Sequence, residues 1–259
     1  MQKNFYPSNL TEKQWSFIES ILEPNKKRKR KHALKDIFNG ILYVVKSGCQ
    51  WRMLPADFAP WNTVYFYYRK WKLEGVIEQI HEFLRTLVRQ KAGRHQSPSL
   101  GIIDSRSVKT SRQNAQERGY DGGKKVKGRK QHIIVDTLGL LLAVVVHSAT
   151  IHDSKAAFSV IEKLKHRFCR LKTILADGGY RGELAQNVKN AFGWIIQVVL
   201  RSDTTKKFQV LPKRWIVERT FAWLEGFRRL SKDYEVLTEN SEHMIMMAMI
   251  RIMINKITN

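Results

Sequence analysis

Apolar residues recur at helical spacing as far as Arg89, and the pattern changes to short strand-like runs after residue 100. Residues 10–23, LTEKQWSFIESILE, place Trp15, Ile18, Ile21 and Leu22 on one face, with Thr11 as N-cap and Gln14 in capping-box position. Leu34 to Lys46 repeats the helical period and stops at Ser47-Gly48. After the turn GCQWRMLP, Asn62 is placed to cap a second helix over 63–75, and a third runs from Val76 to Arg89. Helix, glycine-containing turn, helix is the order of a helix-turn-helix. The segment KAGRHQSPS at 91–99 has linker composition and predicts a boundary, giving a helical, helix-turn-helix-like DNA-binding domain over 1–95 and a second domain over 96–259.

The second part reads as strand (Leu100 to Asp104), long polar loop (105–130), and two strands (132–135 and 140–147) joined by the hairpin signal Asp136-Thr137-Leu138-Gly139. A helix over 153–168, capped by Asp153, precedes a strand over 171–176, a helix over 182–191 and a strand over 194–200. A polar loop over 201–213 then leads to an amphipathic helix from Arg214 to Arg229 and a Met-rich helix over 241–256. The expected fold class is α/β. This order is that of an RNase H-like mixed five-stranded sheet flanked by helices, its first and fourth strands adjacent and parallel.

A 43% hydrophobic content in 259 residues argues for a folded chain, and a formal net charge of +23 points to a polyanionic partner. A membrane surface is the weaker alternative, because no apolar run approaches the roughly 18 residues of a spanning helix, and the N-terminus lacks a signal-peptide core. Double-stranded DNA inside a cell is the expected partner. Cys49 and Cys169 form no metal-ligand spacing and read as two buried thiols. The run Lys26, Lys27, Arg28, Lys29, Arg30, Lys31 fits a solvated stretch or phosphate contact equally well. Asn62, Thr63, Tyr65, Arg69 and Lys70 interleave polar, aromatic and basic groups on the helix expected to read bases. Lys124, Lys125, Lys127, Arg129 and Lys130 crowd the polar loop, and Arg214, Arg228 and Arg229 flank the amphipathic helix. All are candidate DNA contacts.

Three acids stand apart from this cationic background. Asp104 and Asp177 each close an apolar strand-like run, where an unpaired carboxylate is costly to bury. Adjacent parallel strands would bring the two together at their carboxyl ends. Glu218 lies on the polar stripe of the 214–229 helix, and there an i,i+4 ion pair with Arg214 accounts for it as readily as a site does. Phosphodiester cleavage needs an activated nucleophile and neutralised charge, which two Mg²⁺ (or Mn²⁺) ions roughly 3.5–4 Å apart supply on carboxylate ligands. Asp104, Asp177 and Glu218 are therefore the candidate catalytic and metal-binding residues. Asp136 reads as a turn residue, His152 as no ligand, and Glu225 as a reserve ligand. A covalent recombinase is disfavoured, because no Arg/His/Arg/Tyr set is present to activate Ser105 or Tyr180.

DSRSVKTS around Asp104, YDGGKKVKGRK, HIIVDTLG, ILADGGYRG around Asp177 and RWIVERTFAWLEGFRRLSKDYE around Glu218 resemble the DDE transposases of bacterial insertion sequences, specifically the insertion-sequence-five group. LTEKQW and GCQWRMLPADFAPWNTVYFYYRKW are similar to that group's leading helical domain. The resemblance implies an RNase H-like catalytic domain and the acid triad Asp104, Asp177 and Glu218. It also implies divalent metal, binding to terminal inverted repeats, strand cleavage and strand transfer. A homodimer on DNA is expected, in the bacterial cytoplasm with the nucleoid. The Y-x2-R-x3-E-x6-K signature of a sister group is met at Arg214 and Glu218, but Leu211 replaces the Tyr and Glu225 the Lys. The alternative from another class is a DNA-binding repressor that keeps the fold without catalysis.

Overall fold

The computed structural model describes residues 5–22, 30–111, 116–199 and 213–258. It divides into two compact units: residues 1–92 with 224–231 and 243–259, and residues 93–223 with 232–242. The sequence reading assigned everything beyond residue 95 to one domain. The returning segments belong to the first unit because their apolar faces complete its core.

In the first unit, helices α1 (Glu12–Leu22), α2 (Leu34–Ser47), α3 (Trp61–Leu73) and α4 (Val76–Lys91) surround Ile18, Phe38, Ile41, Val64, Tyr68, Ile80 and Leu84. Met244, Ile245, Met247, Met249, Ile250 and Met253 of α8 (Thr238–Thr258) are buried in the same unit. The capping box is reciprocal: the Gln14 N–H donates to Thr11 Oγ1 and the Thr11 N–H to Gln14 Oε1, each at 3.2 Å. Gly48 ends α2 in the left-handed conformation at φ 73°, its N–H on Val44 O. Asn62 does not cap α3, which begins one residue earlier, after Pro60; proline fits that position because the first N–H groups need no helical partner. α2 and α3 are separated by the whole of Gly48–Pro60, including a 3-10 turn at Trp51–Met53. A helix-turn-helix joins its helices by about three or four residues.

The second unit is built on a mixed sheet of six strands: β1 (Leu100–Lys109), β2 (Gly119–Asp121), β3 (Val126–Val135), β4 (Leu141–Ser148), β5 (Thr173–Ala176) and β6 (Ile195–Val198). The order is β2-β3-β1-β5-β6, with β4 also on β3. β1 and β5 are adjacent and parallel as expected, with Ile102 opposite Leu175. Much of the expected polar loop is strand: β1 continues past Asp104 to Lys109, pairing Ser107 with Lys130 and Lys109 with Gly128 on β3. Alternate polar residues are accepted here because they bond to one another. α5 (Asp153–Glu162) and α6 (Leu184–Phe192) pack Ala157, Val160, Ile161 and Val188 against Ile103, Ile134 and Ile174. α5 ends earlier than its apolar period suggests, and its cap is His152, whose Nδ1 accepts from the Ser154 N–H, not Asp153. α7 (Trp215–Glu225) is likewise shorter than its amphipathic pattern and is followed by a 3-10 turn at Arg228–Leu230.

Candidate functional site

The parallel register of β1 and β5 places Asp177, the residue after β5, level with Asp104 on β1. Asp177 then folds back: its Oδ1 accepts the Gly179 N–H at 2.9 Å, capping a 3-10 turn at Gly178–Tyr180. Tyr180 is buried beneath this turn, with its hydroxyl 2.8 Å from His132 Nε2. Burial drives the His132 pKa down to about 3, with the neighbouring His147 adding to the effect, so its imidazole is neutral at physiological pH.

Glu218 arrives on α7, and the hairpin turn between β3 and β4 holds that helix in place. Asp136 Oδ1 accepts the N–H groups of Leu138 and Leu140, confirming it as a turn residue. Thr220 Oγ1 donates to Gly139 O at 3.0 Å, and Arg219 Nη2 to Leu138 O at 3.2 Å. The Arg219 guanidinium lies between the rings of Trp215 and Trp223, 4.5 and 4.6 Å from their centroids. Gly139 adopts φ +81°, and a Cβ there would lie 2.8 Å from Thr220 Oγ1, so both backbone and space require glycine.

These elements bring the three acids around one nitrogen. Arg214 Nη2 lies 3.7 Å from Asp104 Oδ2, 3.4 Å from Asp177 Oδ2 and 3.7 Å from Glu218 Oε1. Twice the longest of these distances bounds the separation of any two of the carboxylate oxygens. The expected i,i+4 pair of Arg214 with Glu218 is present, as one arm of a three-carboxylate cluster. Burial pushes the Asp104 carboxyl up to about 6; the Ser105 N–H and the Arg214 guanidinium pull the other way, Asp177 adds to the rise, and Lys124 opposes it.

Hard oxygen donors of this kind suit Mg²⁺ or Mn²⁺. A guanidinium among them marks a position where positive charge is stabilised. Among the described residues no group of three or more His, Cys, Asp or Glu is arranged to hold a metal ion. Arg214 accounts for this at the acids: oxygens at 3.4–3.7 Å from its nitrogen stand farther out than the roughly 2.0–2.1 Å of Mg²⁺ ligation. The donor set fits in kind, and to hold such an ion these oxygens would have to close in on it in place of the guanidinium.

The candidate DNA contacts fare unevenly. Lys26, Lys27, Arg28 and Lys29 lie outside the described residues, as do Leu211 and most of the loop before α7. Arg30, Lys31, Asn62 and Thr63 line one surface groove with His32, Pro60 and Tyr67. Asn62, Tyr65, Arg69 and Lys70 line a second with Trp61, Phe66 and Leu73, of which Phe66 is 61% exposed. Lys125, in the turn before β3, and Lys127, on β3, are exposed, and Arg228 is exposed in the first unit. Arg129 is a correction: it is 0% exposed, 3.1 Å from Asp233 Oδ2, and donates to the carbonyls of Gln116, Glu235 and Val236. Lys130 is buried as well, 3.1 Å from Asp153 Oδ1 and 3.8 Å from Asp121 Oδ2, and Arg229 is buried with Nη1 on Cys49 O. These three hold the fold together. Cys169 is exposed and Cys49 half-buried, so neither is the buried thiol expected. Among the described residues no helix is long and apolar enough to cross a membrane.

Comparison with known proteins bears on the same residues. The family model "Transposase DDE domain" matches residues 95–253, and "Putative transposase of IS4/5 family" matches residues 10–81. The "Putative transposase for insertion sequence element IS402" of Burkholderia cepacia is 33% identical over 116 residues, 42% of this chain and 54%, about half, of that relative. The "Insertion element IS402 uncharacterized 16.2 kDa protein" of the same organism is 32% identical over 37% of this chain and 69% of its own length. Among solved structures, the piggyBac transposase synaptic complex with hairpin DNA aligns over 93% of this chain and 70% of that one, at 10% identity and a TM-score of 0.40.

Proposed function

Because the chain belongs to the transposase DDE-domain family, we propose that it is the transposase of an insertion sequence, binding the terminal inverted repeats of its element and cutting and joining DNA there. The observation that carries this reading is the convergence of Asp104, Asp177 and Glu218, from three separated parts of the chain, on Arg214 Nη2. The strand order, with β4, β3 and β1 antiparallel and β5 and β6 parallel to β1, supports reading the sheet as RNase H-like.

In this reading the three carboxylates hold two divalent ions, Mg²⁺ or Mn²⁺. When bound, such ions supply Lewis acidity and neutralise charge building on the phosphate. The chain's own part is to bring the acids to one point and to present the DNA. A water oxygen attacks the phosphorus at the element's end, the bond to the 3′ oxygen breaks, and that oxygen leaves as a 3′-OH while the flanking strand keeps the phosphate. The freed 3′-OH then attacks a target phosphodiester and displaces its 3′ oxygen, so that one ester replaces another. Arg214, released from the acids, is available to the DNA backbone with Arg30, Lys31, Lys125, Lys127 and Arg228. α3, through Asn62, Thr63, Tyr65, Arg69 and Lys70, reads the repeat sequence. Cutting two ends together calls for a homodimer on the DNA, working in the bacterial cytoplasm at the nucleoid.

The test uses purified protein, labelled duplex carrying the DNA that borders its gene, and Mg²⁺. The wild-type protein should nick at the repeat end. Asp104→Ala, Asp177→Ala and Glu218→Ala should each abolish nicking and leave duplex binding nearly intact. Binding without nicking by the wild-type protein would move the reading to a repressor.

A further inference from the structure

The turn between β2 and β3 is built more firmly than its glycine and lysine content suggests. Asp121 Oδ1 accepts the N–H groups of Gly123 and Lys124 at 3.1 and 3.0 Å, and its Oδ2 accepts Ser107 Oγ at 2.5 Å. Lys130, buried between Asp121 and Asp153, fixes this carboxylate from below. Lys125 follows in the left-handed region at φ 55°. From this turn the Lys124 side chain reaches back to β1. Its Nζ donates to Ser105 O at 3.1 Å, the carbonyl of the residue that follows Asp104 on β1. With Arg214 it is one of two cations whose charge favours the ionised form of Asp104, against the larger opposing effect of burial.

We propose that Lys124 is a catalytic residue: its ammonium group binds a non-bridging oxygen of the DNA phosphate brought to Asp104, Asp177 and Glu218. The inference rests on the transposase reading and names a group that touches the reacting phosphate. Three carboxylates in one place repel a phosphodiester, and Arg214, which lies among them in the absence of metal, must leave them before it can meet one. An ammonium group has three N–H donors, of which the bond to Ser105 O uses one. Lys124 is otherwise exposed, so a phosphate can reach it. Preorganised cations aimed at a reacting phosphate contribute roughly a hundredfold or more to rate.

Two measurements test this. In single-turnover nicking with Mg²⁺ at saturating protein, Lys124→Ala and Lys124→Met should slow cleavage by about 10- to 100-fold while changing duplex affinity less than about threefold. Lys124→Arg should recover most of the rate, and Lys165→Ala, an exposed cation on no candidate surface, should cut as the wild type does. In Mn²⁺ titrations without DNA, Lys124→Ala should take up the ion several-fold more tightly, because a like charge beside the carboxylates has been removed. Wild-type cutting rates in both Lys124→Ala and Lys124→Met would overturn the proposal. If the unaltered protein cuts no DNA, the transposase reading falls separately. The Mn²⁺ titration then decides whether Lys124 stands at the acids, and unchanged affinity overturns it.

Discussion

At the scale of the residue, burial sets the behaviour of Asp104. A carboxyl whose folded pKa of about 6 exceeds its ordinary 3.8 stabilises the fold fully below about pH 4, and that contribution is lost as pH rises through 6. Asp104→Asn in the metal-free protein should therefore raise stability at pH 8 by on the order of 2–3 kcal/mol, an effect that fades toward pH 4. Urea denaturation at the two pH values would show it, and equal gains at both would contradict the assigned cause. Arg129 makes the opposite case. Arg129→Met leaves Asp233 buried without its guanidinium and should cost about 3–5 kcal/mol in the same experiment, without selective loss of DNA affinity. Asp104 and Asp177 were legible in the sequence because each closes an apolar run, whereas Glu218, on the polar stripe of its helix, is set apart only by the partners it meets in space. The burial of Arg129 was not legible, since the partner that makes it tolerable, Asp233, is remote along the chain and nothing near Arg129 signals it.

At the scale of the element, the Thr11–Gln14 box and the Gly48 stop are both present, but the caps expected at Asn62 and Asp153 fall at Pro60 and His152, because more than one residue near a helix start can take the cap position. Strands whose alternate residues are charged or hydroxylated escaped notice. Beyond Asp104, β1 runs Ser105, Arg106, Ser107, Val108, and a period-2 pattern is invisible when both faces carry polar side chains, Ser105 and Ser107 satisfied by Asp153 and Asp121 on one face and Arg106 by Gln131 on the other. Hydrophobic patterning reports which faces meet apolar neighbours, and here it could not report a polar network within a sheet. The β3–β4 turn carries a testable consequence, because it sets the position of α7. Gly139→Ala imposes a side chain at positive φ and presses on Thr220 and Trp223. It should destabilise the protein by about 1–3 kcal/mol, seen as a lower Tm. It should also slow nicking beyond what the stability loss explains, since Glu218 is carried on the displaced helix.

At the scale of the whole molecule, charge dominates. With a net +23, affinity for any duplex should fall steeply and linearly on a logarithmic salt scale, and replacing Arg30 and Lys31 together should make the slope shallower by about two. Filter binding between low and physiological salt would measure it, and an unchanged slope would remove that pair from the interface. The composition of the first unit has a different consequence. Its early helices share a core with Met244 to Ile254, and Gln14 bonds Asn255 and Arg251 while Lys91 donates to the carbonyls of Lys256 and Ile257. On a ribosome, those first helices emerge long before the residues that close their interior have been made. A nascent chain, or one cut short before residue 244, is therefore left with the apolar interior of its first helices open, exposed to any surface that can cover it.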